Sequence, residues 1–410
     1  MRKVIRTVSL FAAIVTIAVM GFVTYLNYEI PDSFYVSDTK NFSMRQLPSV
    51  QAESKPQQER HAGTSTSLSR ETPLKLLGVI PIKNTYLHQV KEQYVVPCGT
   101  PFGLKMLTDG VVVVGLNPVE SSTGTTYPAR EAGLRKGDVI LAANKTAVSS
   151  NQELTERIRM TGGRAVALTV RRDGMEMTIS VTPVKSVADG EYRCGIWVRD
   201  SSAGIGTVTF YDPATGVFGG LGHAVCDVDT GETMPLSSGE VVPVHINGVQ
   251  KGQVGTPGEL QGSFLSSFSC GTLYLNNETG VYGTLAKNPA VGTEAVPLCF
   301  RQEVKEGPAQ ILTTVEGAIP ALYDIVIEKV NLGDNTPTKN MIVRITDPKL
   351  LELTGGIVQG MSGSPILQNG KLAGAVTHVL VNDPTRGYGI FSENMLGNCE
   401  KVLELAGLAA

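Results

Sequence analysis

A mainly β chain of two domains behind a single N-terminal helix is the fold class this sequence predicts. Three observations lead there. Short β-branched runs recur between turns rich in glycine, which supplies 45 of the 410 residues. Amphipathic helical spacing is confined to a stretch from Asn151 to Met160 and to the C-terminal residues after Ser392. Residues 7–28 carry no charge at all.

The uncharged run comes first. Its apolar centre, Val8 to Leu26, reaches ~28 Å as a helix, about the thickness of a bilayer core. Arg2, Lys3 and Arg6 precede it and Glu29 follows. This bias keeps the N-terminus cytoplasmic and sends the remainder across. A cleaved signal peptide would have a shorter apolar region ending at a small-x-small site. Here the run ends in Tyr25-Leu26-Asn27-Tyr28, which suits the membrane interface. Residues 1–28 are thus read as a cytoplasmic stub and single-pass anchor, with everything after them extracytoplasmic. Residues 29–73, polar from Ser49 to Glu71, read as a flexible tether, and 74–98 as strands leading into the first domain.

Residues 99–184 form the first domain. Val111–Val114 is a strand, and the run from Tyr127 through Gly133 to Leu141 reads as a short turn of helix, a glycine stop and another strand. Asn151 is placed to cap a helix with Leu154 and Ile158 on one face. Strands then alternate around Asp173-Gly174, a strong hairpin signal. Residues 185–410 continue as short strands and tight turns, the pattern of a barrel or sandwich, closed by a C-terminal helix capped by Ser392.

Composition excludes some functions. The net charge of −3, without a basic tract, gives no footing for nucleic acid. The six cysteines, Cys98, Cys194, Cys226, Cys270, Cys299 and Cys399, are dispersed and contain no C-x-x-C pair, so no zinc site is expected. Most should be buried as small apolar residues. No metal or cofactor is called for.

The chemistry is concentrated in Gly360-Met361-Ser362-Gly363-Ser364-Pro365, which precedes a hairpin around Asn369-Gly370. Glycines let a backbone turn direct amides at one point, and two such amides can stabilise an oxyanion. The N–H groups of Gly360 and Ser362 are the candidates. Ser362 is the expected nucleophile and Ser364 the alternative. A serine nucleophile needs a base. His223 lies in a second glycine turn, Gly219-Gly220-Leu221-Gly222-His223, and ranks first, ahead of His378. His61 falls in the tether, His88 before the first domain and His245 in an alternating strand. An acid to orient the base is left open between Asp347 and Asp227, with Asp229 nearby.

Several resemblances then enter. The run Ala129 to Asn144 and the order of elements around it resemble a PDZ domain. That likeness implies a peptide groove with its carboxylate loop near Phe102-Gly103-Leu104 and Leu154 and Ile158 opposite. The Ser362 turn resembles the nucleophile turn of chymotrypsin-like peptidases. With Gly220-Leu221-Gly222-His223-Ala224, Gly355 to Pro365 and Ala375 to Val379, the whole chain resembles the SpoIVB peptidase family of endospore-forming bacteria. The resemblance implies a PDZ-like α+β domain followed by a chymotrypsin-like β-rich peptidase domain, with a catalytic triad of His223, Asp347 and Ser362. It implies an endopeptidase on the forespore side of the intermembrane space. Its protein substrate would be a membrane-anchored regulator of an intramembrane protease, whose release activates a late sigma factor during sporulation. Self-recognition through the PDZ domain, and autoprocessing, are also implied. Two other readings are kept: a non-catalytic, membrane-tethered PDZ adaptor, and a housekeeping protease of the HtrA type, which usually places its PDZ domain after the protease.

Overall fold

The computed structural model describes residues 2–38, 42–52, 60–61, 68–265, 268–333 and 336–408. Helix α1 (Arg2–Glu29) takes in the uncharged run, and it is long and apolar enough to cross a membrane. The hydroxyls of Thr7, Thr16 and Thr24 bond to carbonyls one turn back, at 3.0, 2.9 and 2.9 Å. The helix therefore satisfies its own polar groups, as a bilayer requires. Its outer end is fastened: Lys83 Nζ donates to the carbonyls of Asn27 (3.2 Å) and Ile30 (2.7 Å) and pairs with Asp32. Leu26 and Ile30 are buried.

A five-stranded sheet follows: β1 (Ser33–Val36), β2 (Val50–Ala52), β3 (Leu68–Leu76) and β4 (Ile80–Gln89) run in the order β1-β4-β3-β2, and the two-residue strand Arg60–His61 pairs with β3. Part of the segment read as a flexible tether is therefore folded sheet. Composition concealed it because only alternate residues turn inward. Phe34 and Val36, then Leu74 and Leu76, are buried, while the residues between them face outward or lie half-buried. Residues 53–59 and 62–67 of that segment lie outside the described residues.

The PDZ-like layer comprises the C-terminal part of β5 (Pro101–Leu116), α2 (Pro128–Glu131), β6 (Val139–Ala143), α3 (Asn151–Arg159), β7 (Val166–Arg172) and β8 (Met175–Val181). The strand order is β8-β7-β6-β5. Leu154 and Ile158 of α3 belong to the same buried core as Val111, Val113 and Leu168. Ser150, not Asn151, caps α3, accepting from Glu153 N at 3.2 Å. The Asn151 amide instead donates to the Asp200 carboxylate at 2.9 Å. Asp173 and Gly174 both take positive φ, 50° and 76°, as the predicted hairpin turn needs.

Next come β9 (Ile196–Tyr211), β10 (Val217–Gly220), β11 (Leu236–Gln250), β12 (Gly271–Asn277) and β13 (Gly280–Leu285). With β5 they form a ring in the order β5-β11-β12-β13-β10-β9, closed by β9 on β5. A second barrel is built from β14 (Gly307–Thr313), β15 (Ala321–Val330), β16 (Met341–Ile345), β17 (Pro365–Gln368), β18 (Lys371–Leu380) and β19 (Asp383–Phe391). Helix α4 (Pro348–Thr354) sits between β16 and β17 in sequence. The C-terminal segment forms two short helices, α5 (Ser392–Leu396) and α6 (Cys399–Leu405), in place of the single helix expected. Strands β5 and β9, 16 residues long each, pair antiparallel from Ile196–Leu116 to Thr207–Pro101 and serve both the PDZ-like layer and the first barrel. The cysteines are free, with Cys98, Cys194 and Cys299 buried.

Candidate active site

The two glycine turns singled out in the sequence meet at the seam between the barrels. Gly360 and Gly363, with φ of 96° and 95°, flank Ser362. A Cβ on Gly363 would lie 2.1 Å from the Thr207 carbonyl oxygen and 2.5 Å from Leu221 N, so only glycine fits against the first barrel here. Strand β9 grips the turn at three points. Thr207 N donates to Ser362 O (3.0 Å), Thr207 Oγ1 to Gly360 O (2.8 Å) and Thr209 Oγ1 to Gly363 O (2.7 Å). Sequence reasoning missed these two threonines, because alternation in a β-branched strand carries no mark of what lies across the seam.

The amides of the turn divide into two sets. Those of Met361, Gly363 and Ser364 donate to Val358 O, Val376 O and Met361 O at 3.1, 2.8 and 2.9 Å. Those of Gly360 and Ser362 have no protein acceptor among the described residues. Ser364 is fully buried, its hydroxyl bonded to Thr313 Oγ1 (2.8 Å) and Met361 O (2.7 Å), so it props the turn from beneath.

His223 arrives from the first barrel. After β10, Leu221 and Gly222 both take left-handed conformations, φ 66° and 70°, and turn the chain toward β18. The ring's Nδ1 lies 2.8 Å from Ala224 O. A carbonyl can only accept, so the proton sits on Nδ1 and Nε2 is left as the basic nitrogen. Burial pushes the His223 pKa below the ordinary value, partly opposed by the Ala224 carbonyl. The His378 ring lies 4.8 Å away, centroid to centroid. Desolvation at the seam, with the adjacent His223 and Lys339, pushes His378 down to about 4, although the residue as a whole stays exposed. Ser362, His223 and His378 line one cavity of about 390 Å³, together with Leu104 and residues 202–205 of the first barrel and 357–360 of the second. The Ser362 hydroxyl donates to Thr377 O at 2.7 Å.

Asp347 is not among the residues lining this cavity. It caps α4, accepting from Leu350 N (3.0 Å) and Asp324 N (3.4 Å). Its place before Pro348 explains this, since Asp-Pro is a helix-start pair whose carboxylate is used by the first-turn amides. Asp227 is buried and pairs with Arg199, which also holds Asp229. None of the three touches His223. His88 lies beside Tyr35 and His245 is exposed on β11; the side chain of His61 lies outside the described residues.

The expected carboxylate loop of the PDZ groove is also displaced. Phe102 and Leu104 are buried in the first barrel, 2% and 3% exposed. Phe102-Gly103-Leu104 pairs with β9 on one edge and β11 on the other. With both edges hydrogen-bonded, no peptide can add there. Leu154 and Ile158, by contrast, do line a groove.

Residues 102–182 match the PDZ domain, and residues 190–396 match SpoIVB peptidase S55. Serine protease HTRA1 of Xenopus laevis is 39% identical over 56 residues, 14% of this chain and 12% of that protein. The chain spans less than a fifth of the length of the curated relatives it matches. Among solved structures, the PDZ domain of an SdrC-like protein from Listeria monocytogenes is 22% identical, over 22% of this chain and 87% of that one, with a TM-score of 0.18. The Rv3671c protease of M. tuberculosis, in its inactive form, is 14% identical over 48% of this chain and 84% of that one, with a TM-score of 0.28. The peptidase match takes in just over half of the residues, and with it the chain belongs to the SpoIVB peptidase S55 family, a family of serine peptidases.

Proposed function

We propose that Ser362 attacks a peptide carbonyl with His223 as base, and that the chain works as an extracytoplasmic endopeptidase on a membrane-associated protein. One observation carries the catalytic part. A serine and a histidine from different barrels line the same cavity, beside two amides that have no protein acceptor among the described residues.

The Ser362 hydroxyl leaves Thr377 O by rotation about its side-chain bond and turns to His223 Nε2. Catalytic hydrogen bonds of this kind often form only with substrate bound. As Oγ attacks, its proton passes to Nε2, and the carbonyl oxygen gains charge that the Gly360 and Ser362 amides stabilise. The imidazolium then protonates the leaving amine, and a water repeats the sequence to release the acyl group. The resemblance casts Asp347 as the group that orients His223. In the resting arrangement that work falls to the Ala224 carbonyl, and Asp347 acts on the site through α4, whose Gly355-Gly356 end leads into residues 357–360.

The substrate class follows from the anchor. Helix α1 would cross the membrane with its basic end in the cytoplasm. Its outer end is locked by Lys83 and Leu26 to the folded body, without a long spacer. A peptidase held this close to the bilayer works on proteins at that same surface. A regulator of an intramembrane protease during sporulation, as the family resemblance implies, satisfies this condition. The test is incubation of wild type and Ser362→Ala with ectodomains of such regulators, followed by mass spectrometry of the fragments. Wild type should give discrete products and Ser362→Ala none. Equal cleavage by both would remove Ser362 from the chemistry, and no cleavage by either would favour an adaptor.

A further inference from the structure

The turn between β3 and β4 is Leu77-Gly78-Val79, and both of its apolar side chains stand in the open, Leu77 67% and Val79 76% exposed. Leu77 takes a left-handed φ of 53°, a conformation that bulky residues avoid and that turns usually give to Gly, Asn or Asp. Among the described residues one other apolar side chain does the same, Leu221 beside His223, and it is buried. Leu77 gains no such burial within the protein. The turn is nonetheless firmly made: Leu77 N donates to Ser49 O (2.7 Å) and Val79 N to Leu76 O (3.1 Å). Two of the amides at the tip therefore need no water.

The hairpin runs back along the anchor. Strand β1, which follows α1, pairs parallel with Tyr86–Gln89 of β4, so β4 followed backward from Gln89 to Ile80 retraces the chain toward α1. At Ile82 it meets the helix, where Asn27 Nδ2 donates to Ile82 O at 3.1 Å. Val79 lies beyond this contact by about 10 Å at the rise of a strand. On α1, the face of buried Leu26 and Ile30 continues backward in Val23 and Val19, which are half-buried in a stretch, residues 3–25, that is otherwise exposed. Val23 and Ile80 both pack against the core that holds Leu26 and Ile82. Val23 and Val19 precede Asn27 by about 6 and 12 Å of helix. The two lengths agree, and the hairpin tip reaches the level of Val19 to Val23, inside the apolar run. We propose that Leu77 and Val79 form a second membrane contact, entering the acyl chains of the leaflet on the side of the folded body, next to α1. This rests on the reading of α1 as a membrane span. Exposed Met20 and Phe22 of α1 continue the apolar surface at the same level, and exposed Tyr25 and Tyr28 stand where headgroups begin. The depth is the ~5–10 Å usual for apolar faces seated in the interface. A lone helix lets the body swivel about the helix axis. A second insertion beside it sets which face of the body meets the membrane, and so the bearing of the Ser362 cavity on that surface.

Trp197 is the chain's single tryptophan, which makes depth measurable. In a Trp197→Phe background, three variants each carry one tryptophan: Val79→Trp at the tip, Tyr86→Trp farther along β4, and Ile17→Trp in the middle of α1. All three positions are exposed, so the larger ring displaces nothing in the core. Each full-length chain is reconstituted into phosphatidylcholine–phosphatidylglycerol vesicles, with and without brominated acyl chains. Val79→Trp should emit to the blue of Tyr86→Trp and lose about half or more of its fluorescence to the brominated lipid, as a ring seated in the interface would. Tyr86→Trp, about 23 Å farther from the tip, should be unquenched. Ile17→Trp should be strongly quenched. Quenching at Ile17 with Val79→Trp as red and as unquenched as Tyr86→Trp would overturn the hairpin contact and keep the anchor. Equal quenching at Val79 and Tyr86 would also overturn it, because the body would then lie along the bilayer and not touch it through the tip. Absence of quenching at Ile17 would sink the anchor reading itself, and the hairpin contact with it.

Discussion

Asp347 offers the sharpest test of how this site is held, because two substitutions separate its two conceivable jobs. As the cap of α4 it accepts from Leu350 N at 3.0 Å and Asp324 N at 3.4 Å. Asp347→Ala removes both acceptors and should cost about 1 kcal/mol, or about 2–4 °C in Tm for a domain of this size. Asparagine caps helices as well as aspartate does, so Asp347→Asn should melt like wild type. If the carboxylate instead oriented the base during turnover, asparagine would leave the wrong tautomer and cost roughly ten-thousand-fold in kcat. Here Nδ1 of His223 is already engaged by Ala224 O at 2.8 Å. Asp347→Asn should therefore keep kcat on a fluorogenic peptide within an order of magnitude, with Asp347→Ala losing stability. The reasoning would be refuted by an Asp347→Asn protein with native Tm and a kcat lowered by thousands.

Three further outcomes follow from the same geometry. Because burial lowers the His223 pKa below the ordinary 6.5 and only the neutral ring accepts a proton, kcat/KM should stay level through pH 7 and fall below pH 6.5; a pH profile whose acid limb is centred above 6.5 would contradict this. Gly363→Ala would set a Cβ 2.1 Å from Thr207 O at a positive φ, so hydrolysis should be lost, with a destabilisation of more than ~1 kcal/mol in denaturant melts; an active, fully stable variant would show that the turn is not clamped to β9. Asp138 is 1% exposed, accepts from Arg135 N at 2.7 Å and pairs with Arg172 at 2.6 Å, so Asp138→Ala should destabilise the PDZ-like layer by roughly 3–5 kcal/mol, read by hydrogen exchange in β6 and β7. Unchanged exchange there would mean the pair is dispensable.

Much of the site was legible because glycine marks it. The turns at Gly360–Gly363 and Gly219–Gly222 announce backbone approaches that no other residue permits, and they do meet. The Asp173-Gly174 and Asn369-Gly370 hairpins were equally plain, each with two positive φ angles. What stayed hidden depends on contacts between distant segments. Residues 195–199 belong to the groove beside α3 although they follow the PDZ-like run in sequence, and the clue, apolar residues around Gly195 just before a strand, is short. Phe102-Gly103-Leu104 offered a similar apolar–glycine–apolar pattern, yet pairing on both edges buries it. The sheet over residues 33–89 escaped notice because its strands alternate inward apolar residues with polar ones. Asp347 was assigned by resemblance alone, and its local role as a helix cap is what Asp-Pro ordinarily signals.

The central claim is that one hydroxyl, Oγ of residue 362, is activated by the imidazole of residue 223. Mass-spectrometric mapping of a fluorophosphonate adduct on the full-length chain addresses it most directly, with rates compared across wild type, Ser362→Ala and His223→Gln. A single adduct on Ser362 is expected, none on Ser362→Ala, and labelling of His223→Gln slowed by at least ~100-fold. An adduct on Ser364, or labelling of Ser362 that proceeds unslowed without the His223 imidazole, would contradict it.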